Sequence, residues 1–436
     1  MSVKLRSSNS FTLLIRGAGA ALTIQIVSAG ILYGSQVLLA RWMGTVAYGI
    51  YDYVTALSLF LAFVTGCGWP TAVLRFIPTY RARGDWALLR GMMRGSWQQT
   101  VLVSAIASAC GTAVVLVLDA TRGLGAYAMP LVVGVWSVPI VALTNLQRET
   151  VRSLQKIALA YAPSLLVQPL LLTGMSAIWK QQQNLTSTIA IALSLLSALM
   201  ALVGQWLLFQ QSLDARICRA RSAYESALWW KVALPLLLVG SSHVVLSQTD
   251  TLMIGALLSA REVGIYSAAL KTSSWVPFIL IAVNAVAAPL IASLYAQGDR
   301  RELQQLVSTI ARWMFYPAFA TALGLIGFAE PVLLLFGPEF VMAKGALIAL
   351  ILGQLANVGA GSVGYLMTMT GHHAQTVRVM GVTALANIVL NWIGIEFLGI
   401  VGAALATALS MAVWNVWLYV LVVRKLGVRP SILDAF

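Results

Sequence analysis

Tyr48-Gly49-Ile50-Tyr51 opens one long apolar run, and Val263-Gly264-Ile265-Tyr266 opens another 215 positions later. A shared triplet alone is a weak signal, but the offset recurs. Arg83-Gly84-Asp85 and Gln297-Gly298-Asp299 follow the two runs at an offset of 214, and Ala192-Leu193-Ser194 and Ala408-Leu409-Ser410 match at 216. Agreement among these anchors reads as two homologous halves of about 215 residues each.

Composition sets the solvent. Hydrophobic residues make up 59% of the chain and charged residues only 10%, and mean hydropathy is +0.85. A soluble domain carries about a quarter of its residues as charges, so this chain is solvated by lipid. Apolar runs of spanning length, about 20 residues, recur throughout and lack the alternation of a membrane barrel, so helices are the expected spanning form. Cys67, Cys110 and Cys218 form no disulfide or zinc pattern. The stretch after Lys4, Arg6 and Arg16 is too long for a signal-peptide core and reads as an uncleaved first span.

The apolar runs predict spans at 17–40, 48–78, 95–118, 126–147, 157–179 and 187–210, then at 232–258, 264–293, 312–335, 345–370, 378–397 and 401–423. The expectation is an all-α integral membrane protein of twelve transmembrane helices. An N-terminal six-helix lobe (1–210) and a C-terminal six-helix lobe (232–436) are joined by a cytoplasmic amphipathic linker (211–231). The net charge of +14 is distributed as topology rather than as a nucleic-acid surface. With the N-terminus inside, 22 of the 28 basic residues fall in cytoplasmic segments or span ends, five fall outside, and Lys271 is left within a span. Both termini are then cytoplasmic. An even number of spans per half inserts the two halves in the same orientation, related by a pseudo-two-fold along the membrane normal, with the substrate path between them. Segments 80–94, 211–231 and 294–311 read as amphipathic helices on the membrane surface, the first with Trp86, Leu88, Leu89 and Met92 on its apolar face. No loop is large enough for a catalytic domain, and Pro235, Pro277, Pro289 and Pro317 lie where kinks would bend helices around a cavity.

Three motif matches carry little. Gly359-Ala360-Gly361-Ser362-Val363-Gly364 fits GxGxxG but lies inside an apolar span with no preceding strand, where small residues permit close helix approach. His372-His373 lacks partner ligands, and Asn184-Leu185-Thr186 is only a formal glycosylation sequon. No ATP-binding loop or nucleophilic triad is present, and nothing calls for a cofactor or metal, so a non-enzymatic role is expected.

The candidate functional residues are polar groups within spans. Lys271 and Asp250 lie at similar depth in consecutive spans, where an isolated charge is expensive. They read either as a structural ion pair or as a cavity-facing lysine, held by the aspartate, that takes an anionic substrate. The position matching Lys271 in the first half is Ala56, so the charge is not needed by a shared packing scheme. His243, Ser247 and Asp250 share one helix face, as do Gln354, Asn357 and Gly361, and Asn387 and Asn391. Each row reads either as interhelical hydrogen bonding or as the lining of a polar cavity. Arg75 and Arg16 either snorkel to head groups or collect anions at an inward-open mouth. The assignments are substrate binding for Lys271, Arg75, Arg16 and Asn357, and ion coupling for Asp250 and His243.

Ala40-Arg41-Trp42-Met43-Gly44 leading to Tyr48-Gly49-Ile50-Tyr51, and Arg75-Phe76-Ile77-Pro78-Thr79-Tyr80-Arg81-Ala82-Arg83-Gly84-Asp85, carry a family resemblance. Asp250-Thr251-Leu252-Met253-Ile254-Gly255, the stretch from Val263 to Lys271, and Gly399-Ile400-Val401-Gly402-Ala403-Ala404-Leu405-Ala406-Thr407 extend it over essentially the whole chain. The chain resembles the polysaccharide-type flippases of the multidrug, oligosaccharidyl-lipid and polysaccharide exporter superfamily. The resemblance implies alternating-access transport of a polyprenyl-diphosphate-linked glycan, an O-antigen, capsule or exopolysaccharide repeat unit, across the bacterial inner membrane. It further implies polysaccharide polymerase and chain-length machinery as partners, and no nucleic acid. A drug or metabolite antiporter of the same superfamily is the nearest alternative, although cationic cargo favours an acidic cavity and the spans have few acids: Asp52, Asp250, Glu330 and Glu396. A membrane-embedded polysaccharide polymerase is a more distant one.

Overall fold

With lipid as solvent, backbone N–H and C=O groups must be satisfied within the chain itself, and the helix does this locally. The computed structural model is accordingly helical, with no strand among the described residues. It describes residues 3–432, with side chains from Ile26 onward apart from Val239, His243, Ala282, Ala285, Val286 and Pro289. Seven helical stretches among the described residues are long and apolar enough to cross a bilayer: Ile26–Thr65, Trp86–Arg122, Gly125–Ser153, Ile157–Gln182, Ser187–Gln211, Pro338–Gly359 and His373–Leu426; a bent pair within Ser226–Leu257 makes an eighth if counted as one.

Glycines and prolines punctuate these helices. The helix Val3–Thr65 is broken at Gly44 (φ 75°, ψ 174°), within the 41–47 loop expected from sequence. His373–Leu426 is broken at Gly399 (φ 57°, ψ −136°). Its two arms fold back on each other there: a Cβ at Gly394 would lie 2.6 Å from the Gly402 carbonyl oxygen, and one at Gly402 would overlap the Gly394 carbonyl. The sequence anchors return as matching backbone. Gly84 and Gly298, 214 apart, both end a helix in the left-handed region (φ 77° and 76°), each followed by an aspartate at the next N-cap. Gln155 and Gly371, 216 apart, share positive φ (64° and 84°).

Two expectations fail locally. Span 48–78 is interrupted at Gly66-Cys67-Gly68, where Cys67 and Gly68 take positive φ before the helix Trp69–Arg83 begins. A Cβ at Gly68 would overlap the Ala233 carbonyl, so the break buys close helix approach. Nor are segments 80–94 and 294–311 separate surface helices. Trp86–Arg122 and Arg300–Gly327 are continuous, running from the cap into the span. Leu89 and Met92 are fully buried in a core with Trp69, Tyr80, Phe209, Ile217 and Trp229. In 211–231 the only helix before Ser226 is the short Ala215–Arg219, whose Ile217 plugs into that same core. Their apolar faces are covered by protein rather than by lipid.

The chain divides into two compact units, residues 1–43 with 50–244, and residues 44–49 with 245–436. In the first, helix Ile157–Gln182 passes Pro163 through a π-helical turn, Pro163–Val167. Proline removes the amide that would bond Leu159, and Gln205 Nε2 supplies the donor instead, 2.8 Å from the Leu159 carbonyl and 3.1 Å from that of Ala160. In the second, the two copies of the opening motif meet. A Cβ at Gly49 would overlap the Ala260 carbonyl and lie 2.8 Å from Gly264 N, and one at Gly264 would overlap the Thr45 carbonyl. Glycine at both positions lets the backbones touch.

Candidate functional site

Asp250 lies within Ser226–Leu257 and is 3% exposed. A carboxylate at that depth needs donors or a counter-charge. Three elements supply donors. Gly264, by its close backbone contact, seats the helix Ala260–Ser273, which directs Tyr266 Oη to Asp250 Oδ2 at 2.5 Å. The two arms of His373–Leu426 contribute Asn391 Nδ2, 3.0 Å from Oδ1, and Thr407 Oγ1, 2.8 Å from Oδ1 and 2.7 Å from Oδ2. A further layer lies beneath: Asn387 Nδ2 donates to Thr407 Oγ1 (3.3 Å) and Ser410 Oγ (3.1 Å). Asn387 and Asn391 are fully buried, and the side-chain oxygen of each has no hydrogen-bond partner among the described residues. Two unpartnered acceptor oxygens thus belong to residues of the same hydrogen-bonded cluster as the carboxylate. Oxygen donors of this kind suit a hard cation, although no group of three or more His, Cys, Asp or Glu that could hold a metal ion occurs among the described residues.

The cluster belongs to one half only. At offsets of 215 and 216 the positions matching Asp250, Asn387, Asn391 and Thr407 are Ser35, Leu171, Met175 and Ile191. Ser35 instead makes an ordinary interhelical contact, accepting from Thr173 Oγ1 at 2.7 Å.

The other sequence candidates are dispersed. Asp250 carries no ion pair among the described residues, so the Asp250–Lys271 pair considered from sequence does not form. Lys271 Nζ lies 5.1 Å from the centroid of the Tyr48 ring, a cation–π distance. Tyr48 is itself fully buried against Phe340, edge to face at 6.0 Å. Arg75 is exposed, with its guanidinium 5.9 Å from the Phe76 ring. Asn357 accepts from Asn415 Nδ2 at 3.0 Å, in a polar pair separate from the aspartate. Arg16 and His243 lie outside the described side chains. Tyr266 and Thr407 escaped assignment because each sits in a repeat or family motif as an ordinary helix residue. The signal for them was the helical row Asn387/Asn391, which needs a partner across the Gly399 turn.

The family model of "Polysaccharide biosynthesis protein" matches residues 14–295, well over half of the chain, and the MatE model matches residues 235–393. A probable low-salt glycan biosynthesis flippase, Agl15 of Haloferax volcanii, is 28% identical over 171 residues, 38% of this chain and 36% of that protein. The match thus spans little more than a third of that relative. Among solved structures, the lipid II flippase MurJ in an inward closed conformation superposes with a TM-score of 0.71 at 15% identity, over 95% of this chain and 89% of that one. An inward-facing multidrug resistance MATE family transporter of the MOP superfamily gives 0.71 at 14%, over 93% and 94%. The likeness shows a common all-helical transporter fold. The chain belongs to the polysaccharide biosynthesis protein family.

Proposed function

We propose that this multi-pass membrane protein flips a polyprenyl-diphosphate-linked oligosaccharide from the inner to the outer leaflet of the cytoplasmic membrane, by alternating access, without enzymatic chemistry on its cargo. The observation that carries the reading is the family match over residues 14–295, together with a relative named as a glycan biosynthesis flippase. Twelve spans in two six-helix lobes, with both termini cytoplasmic, accord with the breaks at Gly44 and Gly399 and with the backbone repeated at 84/298 and 155/371. Lys271 would meet the diphosphate, and Asn357 the glycan. In a cell negative inside, a cargo of two negative charges moves outward downhill by about 2.3 kcal/mol per charge per 100 mV.

Asp250 supplies a second coupling. Its carboxylate, Thr407 Oγ1 and the unpartnered oxygens of Asn387 and Asn391 are assigned to a hard monovalent cation, sodium, bound in one conformation and released in another. A cluster built on one half alone, within a backbone that repeats, supports a role beyond packing. The antiporter alternative draws on the MATE fold, but cationic cargo favours an acidic cavity and the expected spans have few acids: Asp52, Asp250, Glu330 and Glu396. Deleting the gene in its host and extracting polyprenyl-linked glycans tests the reading. Glycolipid accumulating on the cytoplasmic leaflet, with surface polymer lost, is the expected result. Normal glycolipid with new sensitivity to cationic drugs favours the antiporter, and completed units trapped outside favour a polymerase.

A further inference from the structure

The first unit holds a cavity of about 380 Å³ that the transport reading does not use. Its walls include Arg94, Trp97 and Gln98 of Trp86–Arg122, Gln147 of Ser137–Ser153, Trp206 of Ser187–Gln211, and Tyr224. Tyr224 belongs to the segment leading to Ser226–Leu257 and is seated there by two glycines. A Cβ at Gly91 would overlap the Ala223 carbonyl, and one at Gly95 would lie 3.3 Å from the Trp229 ring and 3.6 Å from Tyr224. Ala223 N bonds the Ala87 carbonyl at 3.0 Å, Arg90 bonds that of Ala220 at 2.6 Å, and Arg94 reaches Ser222 Oγ at 3.4 Å. The cavity is thus closed on one side by a pinned segment.

Gln147 is the unexplained group. It is 3% exposed, yet neither its amide nitrogen nor its oxygen has a partner among the described residues. Buried amides normally find partners, and this one borders the cavity. Trp97 and Trp206 are exposed at the rim, and one and two helical turns along from Gln98 stand Leu102 and Ile106, 57% and 55% exposed. Val203, one turn from Trp206, is 45% exposed. The cavity is thus bordered by two exposed indoles, the side chains that favour the head-group level, and these neighbour an exposed apolar face on each of their helices. Its occupant needs a negative charge for Arg94, with Arg90 one turn away, a donor and an acceptor for Gln147, and an apolar tail for Leu102 and Ile106. A cavity of this size, at the lower end of small-molecule sites, admits a head group and leaves acyl chains outside.

We propose that this cavity binds the head group of an anionic glycerophospholipid, phosphate at Arg94 and head-group hydroxyl at Gln147, with its acyl chains along Leu102 and Ile106. Placement in the cytoplasmic leaflet rests on the topology proposed above; the site itself does not. Binding holds Tyr224, and hence the connecting segment, against the first unit.

The test uses full-length protein in phosphatidylcholine nanodiscs doped with phosphatidylglycerol that carries a photoreactive head group. Label is expected in the peptides around Trp97 and Tyr224, competed by unlabelled phosphatidylglycerol and not by phosphatidylcholine. Arg94→Gln and Gln147→Leu should each lower it about tenfold, as loss of one strong hydrogen bond requires. Arg94 is exposed, so its variant reports even if the Gln147 variant fails to fold. Label spread evenly over the lipid-facing helices, label unchanged in the Arg94 variant, equal competition by phosphatidylcholine, or displacement by polyprenyl diphosphate in place of phosphatidylglycerol would each overturn the proposal.

Discussion

Asp250→Asn separates a cation site from a structural hydrogen-bond hub. The substitution conserves shape. An asparagine keeps one acceptor oxygen for the Asn391 amide and the Thr407 hydroxyl, now 3.0 and 2.8 Å from Oδ1, and turns its own amide toward Tyr266 Oη. The tyrosine hydroxyl rotates to accept. Neutral hydrogen bonds have about half the strength of charged ones, but the desolvation cost of a charge 3% exposed is also removed. The two changes oppose each other, so without sodium the variant unfolds within about 1–2 kcal/mol of wild type. Sodium is where they part. A ligand at a hundred times its Kd stabilises the binding form by about 2.7 kcal/mol, and the variant lacks the charge that balances the ion. Thermal unfolding of detergent-solubilised protein, in sodium chloride against choline chloride at equal ionic strength, reads the difference. The wild-type midpoint should climb with sodium and the variant's should stay flat. A sodium-dependent rise that survives in the variant, or no rise in wild type, refutes the assignment.

Other consequences follow at separate places in the fold. Lys271→Ala should abolish glycolipid transport at normal protein level in a complemented deletion strain, because we propose that the lysine meets the diphosphate; full transport would remove it from the site. Gly264→Ala forces a methyl into the Thr45 carbonyl and should destabilise the protein by about 1–3 kcal/mol, read as a lowered thermal midpoint; an unchanged midpoint would mean the crossing is loose. Gln205→Leu strips the Leu159 carbonyl of its 2.8 Å donor. It should cost about 1–3 kcal/mol while leaving any sodium-dependent shift intact, since the effect lies in the first unit.

Much of the helical frame was legible because lipid removes ambiguity: a run of about 20 apolar residues has few alternatives to a spanning helix. The Gly44 break fell in an expected loop for that reason, and the anchors at Gly84 and Gly298 foretold equal backbone because a left-handed cap favours glycine. The break at Gly66-Cys67-Gly68 was hidden because nothing in the local hydropathy changes there; its cause is the distant Ala233 carbonyl. Segments 80–94 and 294–311 misled because an amphipathic pattern states that one face is covered and not by what. Trp229 and Ile217, more than a hundred residues on, cover Leu89 and Met92. In the site, Asp250 stood out as an acid in an apolar run. Its partners did not, since Tyr266 and Thr407 are unremarkable one by one and acquire meaning only when the Gly399 turn brings Asn391 and Thr407 to one carboxylate. Equal depth in consecutive spans does not fix which faces meet, and Lys271 Nζ lies over the Tyr48 ring.

The most direct measurement is transbilayer movement itself. Purified protein would be reconstituted into liposomes with a polyprenyl-diphosphate-linked glycan, and the glycan exposed on each leaflet counted with a membrane-impermeant glycosidase. The account predicts that protein-containing vesicles expose glycolipid from the inaccessible leaflet faster than empty ones, that an applied potential biases the direction, and that Lys271→Ala returns the rate to that of empty vesicles. Equal rates in protein-containing and empty vesicles, with protein correctly folded, would contradict it.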